Sequence, residues 1–319
     1  MKAMILAAGL GTRLEPLNRV RPKSLFPVVN RPLLGVIIEQ LKGLGVNEII
    51  INVHHLAEKV EDFVHNERWG LKVEVRFEPE ILGTGGGIKN CSEFFQDVPF
   101  FLVVNSDIYH TFDLRPPLNY HIKANNLATL VLYDNPFFNQ VGVDGAGRIV
   151  SIRGEEVQRS YSPPSIMTFT GIHIISAELL GYLPPSGYFD IVQLYVDLAR
   201  RGEGISGYKL EGGYWRDIGR IEDYWALHRD LLGKQGKTIL HPTAYVGEGV
   251  RMEAVVCVGR ETYIGAESVI KDSILWDEVV VEEGAIVEEC IVGDRVKIGG
   301  QHKGEVLASD LSDGRRDNK

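Results

Sequence analysis

Along the first 232 residues, short apolar runs alternate with stretches in which apolar residues recur at every third or fourth position. The runs read as strands, and the three-and-four spacing reads as helices with one face toward a core. The expected strands are Lys2–Ala8, Glu48–Val53, Val73–Phe77, Phe100–Val104, Leu127–Tyr133 and Phe169–Ile175. Several are apolar at nearly every position, as strands covered on both faces must be. Between them Leu33, Leu34, Ile37, Ile38, Leu41 and Leu44 form one helical stripe, and Val192, Leu194, Tyr195, Leu198 and Ala199 form another. A further helix is expected over residues 221–232, stopped by Gly233. This alternation predicts an α/β domain over residues 1–232, with a mixed, mostly parallel sheet and helices on both faces.

Residues 233–238 read as a linker, and beyond them the period changes to six. Leu240, Val246, Met252, Val258, Ile264, Ile270 and Trp276 are spaced by six, followed by a one-residue slip to Val281 and then Val287. A second set four positions on, Ala244, Val250, Val256, Thr262, Ser268, Ile274 and Val280, is mostly small or β-branched. Gly247, Gly259 and Gly265 follow the first position and help the chain turn a corner. The hexads predict a parallel β-helix over residues 239–303, with about three coils of three hexads each, and resemble the left-handed hexapeptide-repeat helices. Antiparallel strands joined by turns are the alternative. The polar tail, residues 304–319, is expected to lack fixed structure.

A chain of 319 residues with 44% hydrophobic, 24% charged and 9% aromatic positions excludes collagenous, disordered and disulfide-scaffold classes. The net charge of −9 argues against a general nucleic-acid binder, which needs a basic footprint. Cys91, Cys257 and Cys290 lack CxxC or metal-ligand spacing and read as reduced thiols of a cytoplasmic protein. The apolar run at the N-terminus breaks at Gly9 and Arg13, too early for a signal peptide or membrane span, and no membrane partner is expected.

The first segment with chemical character is Leu6–Leu14, LAAGLGTRL, at the end of the first expected strand. Gly9 and Gly11 let a phosphate approach the backbone, and the amides with Arg13 can hold an anion. The third glycine of a dinucleotide fingerprint is replaced by Leu14, and Pro22 stands where a Walker loop has glycine before its lysine, here Lys23. Asp107 follows a buried strand, at the carboxyl end where open α/β sheets bind ligands. A carboxylate there needs a partner, and beside phosphates a hard divalent cation is the usual one.

The stretch LAAGLGTRLEPLNRVRPKSLFPV, residues 6–28, resembles the signature of the sugar-1-phosphate nucleotidyltransferases. The landmarks LGTGGG (82–87), NSD (105–107), TGIHII (170–175) and WRDIG (215–219) follow in the family's order. The resemblance implies a Rossmann-like catalytic domain that joins an NTP to a sugar 1-phosphate, releasing pyrophosphate, with Mg²⁺ held by Asp107 and Asp217. It implies that Arg13 and Lys23 stabilise phosphates and act with the two aspartates as the catalytic set. Leu6, Ala7, Ala8, Gly9, Gly11, Thr12, Gly83, Thr84 and Gly85 would contact the nucleotide, and Asn105, Thr170 and Gly171 the sugar.

Glu78 stands five residues before the glycine-rich turn, where uridylyl and thymidylyl members often carry Gln. A carboxylate only accepts hydrogen bonds and suits guanine's N1–H and amine, so Glu78 is expected to read guanine. The Glu-Lys-Pro lysine that grips the sugar phosphate in many members is absent from SIRGEE (151–156), leaving Arg153 as the nearby cation. Mannose- or heptose-1-phosphate guanylyltransferases are one matching branch, and N-acetylmuramate-1-phosphate uridylyltransferases another; the attached β-helix favours the mannose type. Glucose-1-phosphate thymidylyl or uridylyl transfer and a non-catalytic, nucleotide-sugar-binding subunit are the alternatives. Acyl transfer by the β-helix, with His241 or His302 as base, is the poorest fit, and association into a homo-oligomer is its expected role. His54, His55, His110, His121 and His173 read as structural, and Trp69, Trp215, Trp225 and Trp276 as packing residues, with Trp215 beside the site.

Overall fold

The computed structural model describes residues 1–158, 163–233 and 237–309. By contact the chain forms two compact units that do not follow the linear division at residue 232. Met1–Gly9 and Val36–Asp217 make the first, whereas Leu10–Gly35 join the second with the residues from Ile218 onward.

The first unit is built on a ten-stranded sheet. All six expected strands are present, as Lys2–Ala7, Glu48–Val53, Lys72–Phe77, Phe100–Asn105, Ala128–Tyr133 and Ser165–Ser176. Lys2–Ala7 lies between Glu48–Val53 and Phe100–Asn105, parallel to both, and Lys72–Phe77 extends the parallel set. Ser165–Ser176 runs antiparallel to Phe100–Asn105 and to Ala128–Tyr133, which makes the sheet mixed. Ile205–Lys209 and the short antiparallel strands Val141–Val143, Ile149–Ile152 and Glu155–Glu156 were not expected, being brief and interrupted by polar residues and glycine.

Lys2–Ala7 pairs on one side with the next strand of the sheet in sequence and on the other with a strand a hundred residues later, so the strand order reverses there. In open α/β sheets the crevice beyond the carboxyl ends at such a reversal is where ligands bind. Helix Leu33–Gly43 carries the first predicted stripe, and Ile191–Arg200 buries Ile191, Leu194, Tyr195, Leu198 and Ala199 in the core below the sheet. LGTGGG, expected as a turn, instead opens the helix Gly83–Asn90. Glycine disfavours a helix through backbone entropy, but here it permits close packing: a Cβ on Gly85 would lie 2.7 Å from the Phe189 ring, and one on Gly87 2.7 Å from Asn52 Nδ2.

In the second unit every strand pairing from Thr238 to Leu307 is parallel, and the strands stack on three faces. One face stacks Tyr245–Val246, Tyr263–Ile264, Val280–Val281 and Lys297–Ile298, giving four rungs where about three coils were expected. Its interior is a core of Val256, Val258, Ile264, Ile270, Leu275, Val281, Val287 and Val292, among others. Corners are turned at left-handed positions such as Glu261, Glu278 and Arg295, which repeat once per coil.

Two expectations for this region need correction. Val258 pairs with Leu275, not Trp276, because the one-residue slip falls a hexad earlier, between Ile270 and Leu275, and the ladder shifts register between Glu253 and Val256, where Ala254 has φ 59°. Leu275 and Trp276 are both apolar, so periodicity did not distinguish them; Leu275 joins the interior, whereas Trp276, 0% exposed, packs on Phe26 and Tyr224. The tail also begins later than residue 304, since Val306–Leu307 add a rung on Ile291–Val292. Residues 310–319, and 234–236 of the linker, lie outside the described residues.

Candidate active site

The crevice at the strand reversal is built from the sequence motifs of the first unit. Leu6 pairs with Asn105 across the parallel ladder, and the Ser106 N–H donates to the Leu6 carbonyl at 3.0 Å. This sets the start of LAAG beside the NSD turn. Asp107 stands on that turn with its Oδ1 sealed from solvent. Trp215–Asp217 pairs antiparallel with Ile108–His110 and puts Asp217 opposite Ile108, the residue after Asp107. A two-stranded ladder thus carries the two predicted metal carboxylates to one place, although 110 positions separate them in sequence.

The cleft is lined by Leu6, Thr84, Asn105, Gly171, Asp190 and Asp217, with Arg153, Phe138 and Trp215 at its walls. Gly171 has φ +79°, and a Cβ on it would fall 2.7 Å from Asn105 Nδ2, so the position demands glycine. Thr170 reaches the cleft but is 0% exposed, and its hydroxyl donates to the Val131 carbonyl at 2.8 Å. The hydroxyl thereby ties the cleft wall to the neighbouring strand. The Thr170 carbonyl in turn accepts from Trp215 Nε1 at 3.0 Å, which fixes the wall before Asp217.

One polar network joins Thr84 and Arg153 through a residue that was not expected in the site, Asp190. Arg153 Nη1 donates to Asp190 Oδ2 at 2.7 Å, Thr84 Oγ1 donates to Asp190 Oδ1 at 3.2 Å, and the Ile191 N–H donates to Thr84 Oγ1 at 3.0 Å. Burial works against the Asp190 carboxylate, but these bonds and the Val192 N–H outweigh it and hold its pKa below the ordinary carboxylate value. In sequence Asp190 carries only the signal of an N-cap before the helix Ile191–Arg200. Its ion pair with Arg153 holds a cation at the cleft.

Two nucleotide assignments change. Glu78 is 0% exposed, Oε1 accepts from Asn52 Nδ2 at 2.8 Å, and Oε2 faces the Leu82 N–H at 3.4 Å. Burial pushes its carboxyl above the ordinary range, against these donors. Glu78 is thus an internal brace, not a group facing a base. Gly83, Thr84 and Gly85 form the first turn of a helix, and the Gly85 and Gly86 amides donate to the Phe189 carbonyl at 2.8 and 3.2 Å. Of these residues Thr84 lines the cleft, whereas the amides of Gly85 and Gly86 are already used. Ala7 is likewise tied down, its N–H donating to Asn52 Oδ1 at 3.0 Å, and Ala8 and Gly9 continue from the strand end.

Gly11, Thr12, Arg13 and Lys23 fall in the second unit. Gly11, at φ 63°, opens the short turn Thr12–Leu14, on which Thr12 and Arg13 are exposed. The position that a Gly11 Cβ would take lies 3.4 Å from the Lys23 Cβ, so the two halves of the signature loop are in contact. The loop is anchored by Leu14, Leu17 and Phe26, each 0% exposed.

The sequence model of nucleotidyl transferases matches residues 2–234. The chain belongs to the nucleotidyl transferase family. A model described as the GMPPB C-terminal domain matches residues 234–310. Among curated relatives, this nucleotidyltransferase is 28% identical to the UTP–glucose-1-phosphate uridylyltransferase of Synechocystis, over 94% of this chain and 84% of that protein. It is 27% identical to the mannose-1-phosphate guanylyltransferase of Mycobacterium tuberculosis, over 90% and 82%. Among solved structures, HddC of Yersinia pseudotuberculosis complexed with GMP-PN superposes with a TM-score of 0.60 at 25% identity, covering 71% of this chain and 97% of that one.

Among the described residues there is no cluster of three or more His, Cys, Asp or Glu that could hold a metal, and no helix is long and apolar enough to cross a membrane. The Asp107–Asp217 pair nevertheless fits Mg²⁺, which binds through one or two carboxylates and leaves its remaining positions to phosphates and water. His110, His121 and His173 are buried, and His54 is tied to the backbone. His54 Nδ1 contacts the Glu78 carbonyl at 2.7 Å, and burial pushes His110 and His121 down to about 4 and His173 to about 3. All three cysteines are buried free thiols, and burial pushes Cys91 and Cys257 up to about 12.

Proposed function

We propose that this nucleotidyltransferase transfers a guanylyl group from GTP to mannose 1-phosphate or a related manno-configured sugar 1-phosphate. A sugar-phosphate oxygen attacks the α-phosphorus, a new P–O bond forms, and the bond to the β-phosphate breaks to release pyrophosphate. The observation that carries the reading is the meeting of Leu6, Asn105, Gly171 and Asp217 in one crevice at the strand reversal, with Asp107 on the adjoining turn beside Ile108, the ladder partner of Asp217. With no covalent intermediate, the protein's work is alignment and charge neutralisation. Arg13 and Lys23 stabilise the phosphates of the NTP. Asp107 and Asp217 would hold Mg²⁺, which would supply neutralisation of the charge that builds as pyrophosphate leaves. Arg153, oriented by Asp190, takes the sugar phosphate in place of the absent lysine, and Asn105, given room by the missing Cβ of Gly171, faces the sugar.

The guanine assignment is supported by the match of residues 234–310, by the M. tuberculosis guanylyltransferase and by the nucleotide in the HddC structure. Glu78 adds nothing to it. Uridylyl transfer to glucose 1-phosphate is the second reading, favoured by the Synechocystis relative. Self-association through the repeat region completes the proposal: Tyr245 and Tyr263 stack there at 4.8 Å, 56% and 45% exposed, and sedimentation equilibrium tests it. The deciding experiment is pyrophosphate release with Mg²⁺, crossing GTP, UTP, dTTP, ATP and CTP with mannose, glucose, N-acetylglucosamine, N-acetylmuramate and heptose 1-phosphates. Turnover confined to GTP with a manno-configured sugar is expected; turnover with UTP and glucose 1-phosphate selects the second reading.

A further inference from the structure

The signature loop and the β-helix belong to one compact unit, and the contacts that join them bracket Lys23. Two residues before it, Arg21 reaches across two successive coils. Nε and Nη2 donate to Asp294 Oδ2 and Oδ1 at 2.9 and 2.6 Å, and Nη2 also donates to Asp277 Oδ2 at 2.9 Å. The three side chains are only 14%, 24% and 19% exposed, and the guanidinium lies 5.1 Å from the Trp276 ring centroid. A guanidinium held bidentately by one carboxylate, shared with a second and set against an aromatic face is fixed in direction as well as place.

The coils prepare this seat. Asp277 and Asp294 follow Trp276 and Gly293 at matching points of adjacent rungs, next to the Leu275–Val292 pair. The Arg260 N–H donates to Asp277 Oδ1 at 2.9 Å and the Asp277 N–H to Asp294 Oδ1 at 3.2 Å, so both carboxylates are set by coil backbone. Beyond Lys23, the Phe26 ring packs edge-on against Trp276 at 4.7 Å, Tyr224 OH donates to the Pro27 carbonyl at 2.6 Å, and Asn30 Nδ2 donates to the Val258 carbonyl at 2.8 Å. These later contacts are neutral; Arg21 supplies the ionic attachment on the side facing Arg13.

We propose that Asp277 and Asp294 are positioning residues for nucleotidyl transfer, which by gripping Arg21 hold the loop bearing Arg13 and Lys23 in its working conformation. The inference rests on the reading of that loop as the phosphate-binding element. It gives the β-helix a part in the chemistry besides assembly.

The test uses the full chain with Asp294→Asn, Asp277→Asn, the double Asn variant and Arg21→Lys, which keeps the charge but loses the fork. For each, kcat and both KM values for pyrophosphate release, the thermal midpoint, and hydrogen exchange of residues 10–25 are measured well below the midpoint. Expected are a fall in kcat of tenfold or more and a raised KM for the NTP in the double variant. The KM for the sugar phosphate is expected to hold, with a smaller loss in Arg21→Lys and faster exchange over residues 10–25. Unchanged kcat and NTP KM in the variants, or losses that equal the unfolded fraction alone, overturn the proposal. Should the double variant not fold, the single variants and Arg21→Lys are judged by the same two outcomes. A wild-type protein silent with every substrate pair defeats the proposed function instead, and the clamp is then judged by exchange, where unchanged protection over residues 10–25 overturns it.

Discussion

At the scale of single residues, the crevice depends on side chains whose bonding partners sequence did not reveal. Gly171 is the plainest case: its φ of +79° and the Asn105 amide 2.7 Å from a would-be Cβ leave no room for a side chain. Gly171→Ala is expected to strain the backbone by about 1–2 kcal/mol. By displacing Asn105 it is also expected to lower kcat/KM for the sugar phosphate by up to about 100-fold, since small misplacements carry that cost. Steady-state kinetics and a melting curve check both. Glu78 makes the opposite case. Its buried carboxyl is held above the ordinary range, so its ionised form is penalised in the folded state, and that penalty grows as pH rises through the folded value. Glu78→Gln is expected to leave the base preference unchanged and to hold or raise the midpoint at pH 8. A variant that switches between GTP and UTP would return Glu78 to the role of base reader.

At the scale of elements, strand ends and buried histidines set the behaviour of each unit. His110, His121 and His173 in the first unit and His228 in the second are buried and pushed down to between about 3 and about 4. Their unfolded value is near 6.5, so the unfolded chain binds the extra protons: stability is whole above about pH 6.5 and falls as pH drops toward the folded values. The loss at pH 5 is on the order of 2 kcal/mol for each histidine. Thermal midpoints between pH 8 and pH 5 should therefore fall steadily on the acid side; a flat profile would show that the histidines are not buried as neutral groups. The helix Gly83–Asn90 illustrates how an element escapes its composition. Its glycines forgo helix propensity, but Phe189, Asn52 and Glu78 pack so closely against it that larger residues would not fit.

At the scale of the molecule, the second unit unites loop and repeats around Trp276, which is 0% exposed and donates from Nε1 to Tyr224 OH at 3.1 Å. Trp276→Ala is expected to cost about 3–5 kcal/mol, as deletions of buried large aromatics do. A chain ending at residue 233 would strip the partners of Phe26, Asn30 and Arg21, so it is expected to lose pyrophosphate release and to expose residues 10–35 to protease. Full activity in that truncated chain would show that the N-terminal stretch is self-sufficient, as a division at residue 232 implies.

The periodicities of two, three-to-four and six along the chain were sufficient to define the strands, the main helices and the coiled repeat, because burial imposes those periods on any chain that forms such elements. Asp107 was visible because it follows an apolar strand, and Asp217 only through the resemblance of WRDIG to the family's motif. Four matters depended on distant partners: the burial of Glu78 and the tie of the Thr170 hydroxyl to Val131, the Thr84–Asp190–Arg153 network, the choice of Leu275 over Trp276 as the inward residue, and the attachment of Leu10–Gly35 to the coils through Arg21. A hydrogen bond or ion pair between residues as many as 273 positions apart leaves no periodic trace along the chain. It arises only when packing brings the two groups together and removes the water that would otherwise satisfy them.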